Sequence, residues 1–205
     1  MSSYFGATSV GVKAKNGVVL ATDRRMSYGT FIMSKNAKKI YLVNDNVGIA
    51  FAGLYGDISG LMRFLEADIR SYAITTGNRP TVLTIAKRLS LIMYSYKMLP
   101  FWVETIVAGL DPDGRARLYV LDSLGSITEE PYAAVGSGAT VAFGYLEANY
   151  RNDINLDEAE KIAEKAVRTA IIRDAGSGDG IDIVAISPEG VRERRVKLRI
   201  TYLEE

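Results

Sequence analysis

The order of predicted elements makes this an α+β chain, built as two antiparallel sheets with a pair of helices on each outer face. Three observations predict it. Strands, two helices, strands, two helices and strands follow one another in blocks, which argues against alternating parallel units. Turn dipeptides such as Asn16-Gly17 join neighbouring strands as hairpins, so the pairing is antiparallel. Each pair of helical segments shows apolar stripes that a sheet face would bury.

Residues 9–15 alternate as a strand and VVLATD (18–23) returns from the Asn16-Gly17 turn. KKIYLV (38–43) and VGIAFAG (47–53) flank Asn44-Asp45-Asn46 as a second hairpin. Beyond Gly56 the period changes, and Ile58, Leu61, Met62, Leu65, Ile69 and Tyr72 fall on one helical stripe with Asp57 as its cap. Asn78-Arg79-Pro80 breaks that helix and Thr81 caps the next, whose stripe runs Val82, Ile85, Ala86, Leu89, Ile92, Met93 and Tyr96 until Pro100 closes it. WVETIVAGL (102–110) and RLYVLD (117–122) are strands joined by Asp111-Pro112-Asp113-Gly114. Residues 132–135 lead into Gly136-Ser137-Gly138 and a helix to about 150. A further helix from about 157 turns Ile162, Ala166, Val167, Ala170 and Ile171 inward. GIDIVAIS (180–187) and VRERRVKLRI (191–200) close the chain, the second with alternating charge suited to an exposed face.

Composition narrows the chemistry. With 205 residues one domain is expected, and 48% hydrophobic residues give it a substantial core. A net charge of +1 argues against nucleic-acid or membrane-surface binding, and no apolar run approaches the 18 residues of a membrane span. There is neither cysteine nor histidine, which excludes thiol nucleophiles, a Ser-His-Asp triad and the usual zinc sites. A catalytic base would have to be a lysine, a carboxylate or an amine.

Read one at a time, the polar motifs are unremarkable. Asp23 beside Arg24 and Arg25 reads as a surface ion pair, and Lys39 in Lys38-Lys39 as a solvated strand residue. Gly136-Ser137-Gly138 before a helix could be a phosphate-binding turn. The glycines and acids of 176–180 hint at a cation loop, but lack the acidic spacing of a calcium hand and read better as a tight turn.

Taken together and in register, ATDRRMSYG (21–29), KNAKKIY (35–41), AFAGLYGD (50–57), GSG (136–138) and RDAGSGDGIDI (173–183) resemble the archaeal proteasome β-type subunits, over residues 7 to about 187. The resemblance implies the four-layer αββα fold of the N-terminal-nucleophile hydrolases and a threonine-type endopeptidase. In that family a threonine is freed by self-cleavage behind a glycine, so residues 1–6 would be a short leader and 7–205 the β-type domain. A threonine hydroxyl needs an adjacent base. A free α-amine, with an ordinary pKa of about 7.7–8.0, is one of the few available outside histidine.

The resemblance places the nucleophile at Ala7, the acidic partner at Asp23, the buried lysine at Lys39 and the oxyanion donor at the N–H of Gly53. It gives Ser137, Asp174 and Ser177 as the supporting set, and Met26, Ala37, Phe51 and Tyr55 as the substrate pocket. It also implies stacked seven-membered rings with α-type subunits and other β-type subunits, unfolded polypeptide substrates delivered by an ATP-driven unfoldase, a cytoplasmic location, and neither cofactor nor metal.

One position departs from the pattern. Where the family reads Thr-Thr-Thr or Thr-Thr-Ser before Val-Gly, this chain reads Ala7-Thr8-Ser9. A methyl group attacks nothing, so the Gly6–Ala7 bond should stay intact and the leader should lie in the groove. Thr8 is one residue late, and on a strand that slip points its side chain to the opposite face. The chain is then either an inactivated form of a catalytic subunit or a naturally non-catalytic structural β subunit in a mixed ring. A non-catalytic sandwich module that binds a partner or a small ligand is the reading from another class.

Overall fold

The computed structural model describes residues 6–198. In chain order the strands are β1 (Ser9–Ala14), β2 (Gly17–Asp23), β3 (Met26–Tyr28), β4 (Phe31–Ser34), β5 (Ile40–Asn44) and β6 (Val47–Gly53). Helices α1 (Tyr55–Thr76) and α2 (Val82–Ser95) come next, then β7 (Val103–Leu110), β8 (Ala116–Leu121), β9 (Ile127–Glu129) and β10 (Tyr132–Val135). Helices α3 (Ala139–Asn149) and α4 (Leu156–Arg173) precede β11 (Gly180–Ser187) and β12 (Gly190–Lys197).

One five-stranded sheet runs β10-β1-β2-β11-β12 and the other β5-β6-β7-β8-β9, each antiparallel throughout, while β3 and β4 form a separate ribbon. Helix α4 packs on β1, β2 and β11 with α3 beside it, and α1 and α2 pack on β6, β7 and β8. The sheets themselves meet through β2 against β6 and β7 and β1 against β8. The result is the expected four-layer αββα sandwich. Among the described residues no helix is long and apolar enough to cross a membrane.

Strand alternation sorts the apolar residues into three cores. Along β6, Val47, Ile49 and Phe51 join the stripes of α1 and α2. The intervening Ala50 and Ala52 face the other sheet, among Val18, Leu20, Ile106 and Leu118. Val10, Val12, Val19 and Ala21 take the third core, under α3 and α4.

Several boundaries differ from the sequence reading. Helix α1 starts at Tyr55 with Leu54 as its N-cap, and Asp57 lies within the first turn. There its carboxylate accepts from the backbone N–H of Trp102 at 2.8 Å, tying the helix start to the approach of β7. Thr81 does cap α2, accepting from Thr84 N at 3.1 Å. The stripes fade at their ends: Tyr72 is half-buried beneath Arg88, and Tyr96 is 47% exposed because α2 stops at Ser95. Strand β5 begins at Ile40, after the two lysines. β3, β4 and β9 were not foreseen, since three or four residues are too few to show a period.

Leu118 is fully buried between the sheets. Leu118→Ala should therefore lower the unfolding free energy by about 2–5 kcal/mol, read from urea midpoints at unchanged slope.

Candidate active site

The site forms where the ends of both sheets meet. Asp23 closes β2, and the pairing of β2 with β1 and β11 sets it beside Thr8 and the turn before Gly180. It is fully buried, which corrects the reading of a surface ion pair. Its Oδ1 accepts from Lys39 Nζ at 2.7 Å and from Thr8 N at 2.9 Å. Its Oδ2 accepts from Arg25 N at 2.9 Å and Gly178 N at 3.1 Å. A buried carboxylate is tolerable only when its lone pairs are filled, and these four donors fill them.

Lys39 is 2% exposed, so it is no solvated strand residue either. It reaches Asp23 from the opposite sheet, standing one residue before β5 with its carbonyl accepting from Phe51 N at 3.0 Å.

That last bond also orients Gly53. Phe51 N points toward β5, and Leu54 N donates to Trp102 O at 2.8 Å on the β7 side. By alternation the N–H of Gly53 points to the β5 side, where β5 has not yet begun. It is left facing the hollow that Lys39 lines. Gly53 has φ of 136°, and a Cβ there would collide with Trp102 O. Only glycine fits.

Ala7 is fully buried just ahead of β1. Ser137 Oγ accepts from Ala7 N at 3.1 Å and donates to Asp174 Oδ2 at 2.6 Å. Asp174 is the C-cap of α4, and the same Oδ2 accepts from Ser177 Oγ at 2.6 Å. Since the single Ser177 proton is spent there, Thr8 Oγ1 is the donor in its 2.7 Å contact with Ser177 Oγ. Thr8 thus turns away from the hollow and is itself fully buried. The loop carrying Ser137 is held from the other sheet, because Gly136 N donates to Glu104 Oε2 on β7 at 2.7 Å. At Gly136, φ is 95° and a Cβ would strike Ala7 O, so this glycine lets the loop close over residue 7.

The hollow has a volume of about 230 Å³ and is walled by Met26, Tyr28, Met33 and Tyr55, with Lys39 and Gly53 at its inner side. Two of the four expected pocket residues, Met26 and Tyr55, line it. Ala37 and Phe51 do not. Ala37 is buried in the turn between β4 and β5, and Phe51 follows its strand's alternation into the helix-facing core, edge-on to Tyr41. Burial, with the Tyr55 side chain beside it, pushes the Tyr41 hydroxyl well above its ordinary value, so Tyr41 stays a neutral prop behind Tyr55. Gly6 also lines the hollow, while residues 1–5, expected in the groove, lie outside the described residues.

Thr8, Arg25, Gly178 and Glu104 were missed as site residues. Three of them act through a backbone N–H or point away from the hollow, and Glu104 comes from a strand with no polar motif. Only the adjacency of Arg25 to Asp23 gave any signal. Among the described residues no cluster of three or more carboxylates could hold a metal ion.

The chain matches the family described as "Proteasome subunit" over residues 4–186. It is 51% identical over 184 residues to "Proteasome subunit beta 1" of Hyperthermus butylicus, covering 90% of each chain. It is 46% identical to "Proteasome subunit beta 1" of Staphylothermus marinus, over 97% of this chain and 92% of that one. With "Proteasome subunit beta 2" of Pyrobaculum neutrophilum it shares 45% identity over 95% of this chain and 96% of that one.

The two ends of the buried pair should respond unequally. Asp23→Ala strands the Lys39 ammonium and three N–H donors, and should cost about 3–5 kcal/mol in chemical denaturation. Lys39→Met leaves Asp23 with three of its donors and should cost clearly less.

Proposed function

This chain belongs to the proteasome subunit family, and we propose that it is a β-type subunit walling the proteolytic chamber, with a threonine-peptidase site complete except for its nucleophile. The observation that carries this reading is the grip on residue 7. Ser137, backed by Asp174, accepts from the nitrogen that would be the free α-amine of a processed subunit. That arrangement suits an amine that must be held as a general base.

With threonine at position 7 the roles that the resemblance implies are supported by this geometry. The amine takes the hydroxyl proton, and the Lys39 ammonium, fixed by Asp23, favours the developing alkoxide. The carbonyl oxygen of the bound chain turns toward Gly53 N–H, which stabilises the tetrahedral intermediate. Met26 and Tyr55 border the space for the side chain before the cut. Ala7 has no lone pair to offer, so Gly6–Ala7 stays joined and the nitrogen stays an amide, which is no base. Thr8 cannot substitute, because its hydroxyl is committed to Ser177 on the far side of the strand.

On this reading the subunit works in the cytoplasm in stacked rings with α-type and other β-type subunits. Its substrates are unfolded chains delivered by an ATP-driven unfoldase; on the alternative reading, a naturally non-catalytic structural β subunit in a mixed ring, a sister β-type subunit does the cutting. An inactivated member of a catalytic design fits better than a purely structural wall, because Asp23, Lys39, Ser137, Asp174 and Ser177 remain mutually hydrogen-bonded or bridged through residues 7 and 8.

Intact mass spectrometry of particles assembled with the α-type partner tests it. Ala7→Thr should shed residues 1–6 and gain hydrolysis of a fluorogenic peptide, and Ala7→Thr with Lys39→Ala should do neither. If Ala7→Thr keeps its leader in assembled particles, the peptidase reading fails.

A further inference from the structure

Residue 7 is held by contacts that leave little slack. Ser137 Oγ accepts from its nitrogen at 3.1 Å, and its carbonyl accepts from Gly138 N at 3.4 Å. Both are longer than the usual N–H···O distance of about 2.9–3.0 Å, so a small drift of residues 136–138 would lose them. That loop has little stiffness of its own. Glycines stand on either side of Ser137, the pairing of β10 with β1 ends at Val135, and Gly138 caps α3 without a side-chain bond. Asp174 steadies the Ser137 hydroxyl at 2.6 Å but does not touch the Ser137 backbone.

Glu104 supplies the missing restraint. In register it stands opposite Ala52 of β6, and a Cβ at Gly136 would lie 2.7 Å from the Ala52 side chain as well as against Ala7 O. Gly136 is thus wedged between residue 7 and β6, and there its N–H meets the Glu104 carboxylate at 2.7 Å. A charge-assisted bond of this kind is roughly twice as strong as a neutral one. Glu104 has no competing engagement: its side chain is exposed, and among the described residues it has no ion-pair partner.

We propose that Glu104 is a positioning residue for this site: by gripping Gly136 it fixes Ser137, and through Ser137 the nitrogen of residue 7. The inference rests on the peptidase reading and deepens it. With threonine at position 7 that nitrogen is the base, and misplacing a reacting group by about 1 Å costs about 100-fold in rate. Glu104 acts at one remove, on the loop and not on the reacting atoms. What the loop needs from position 104 is an acceptor at the same reach. An amide oxygen should therefore serve in place of the carboxylate, and an apolar side chain of similar size should not.

Glu104→Leu and Glu104→Gln separate these, each read in two ways. In the full chain with Ala7, hydrogen exchange of the Ala7 amide, followed by NMR, should quicken about tenfold or more in the leucine variant. The glutamine variant should return most of the way to the parent rate, and the amides of β2 should be unaffected in both. In particles assembled with the α-type partner and carrying Ala7→Thr, Glu104→Leu should lower kcat about tenfold at nearly unchanged KM, and Glu104→Gln should recover most of that loss. The side chain is exposed, so the thermal midpoint should hold in both variants; where leucine lowers it, Glu104→Ala takes its place. Unchanged Ala7 exchange, equal effects of leucine and glutamine, or an effect confined to KM would overturn the proposal. If Ala7→Thr itself stays silent, the peptidase reading fails, and exchange at Ala7 alone decides whether Glu104 positions that nitrogen.

Discussion

Everything around residue 7 depends on one buried carboxylate. Asp23 has no solvent to turn to, so its four donors are a requirement of folding before they are a feature of chemistry. Meeting it brings together a strand end, the ribbon's first approach, the turn before β11 and a lysine from the other sheet. Once those are in place the position of Thr8 is fixed, and with it Ala7. The site is a by-product of satisfying Asp23.

The glycines do the complementary work. Where Asp23 draws segments together, Gly53 and Gly136 permit approaches that any side chain would prevent. Gly53 lets β6 run past the start of β5 close against Trp102, and Gly136 lets a loop held by Glu104 close over Ala7. One strand running three residues past the start of its neighbour, and one loop clasped from across the sandwich, create the geometry without any motif at the clasping residue.

The layers were legible in the sequence because each is written in a period. Stripes at Ile58, Leu61, Leu65 and at Val82, Ile85, Leu89 repeat often enough to announce helices, and turns such as Asn16-Gly17 announced the hairpins. Boundaries were less legible. Asp57 looks like a cap, but its carboxylate serves Trp102, a partner 45 residues away. The short strands β3, β4 and β9 carry too few residues for any repeat. Within the site, Asp23 and Lys39 taken singly pointed to the surface, and only their joint register with distant motifs pointed inward. Phe51 was assigned to the pocket by position, whereas the parity of its strand sends it to the helices. Contacts made by backbone N–H groups, as at Arg25 and Gly178, leave no mark in side-chain identity.

Asp23 and Thr8 come from one sheet, Lys39, Gly53 and Glu104 from the other. A chain that has formed either sheet but not docked it on its mate holds only half of the constellation. Before docking, neither sheet can present the complete centre, whatever residue stands at position 7. Completion of the sandwich acts as a built-in interlock: on the proposed reading, a cutting centre in this architecture stays latent until its two sheets dock, without a separate inhibitor.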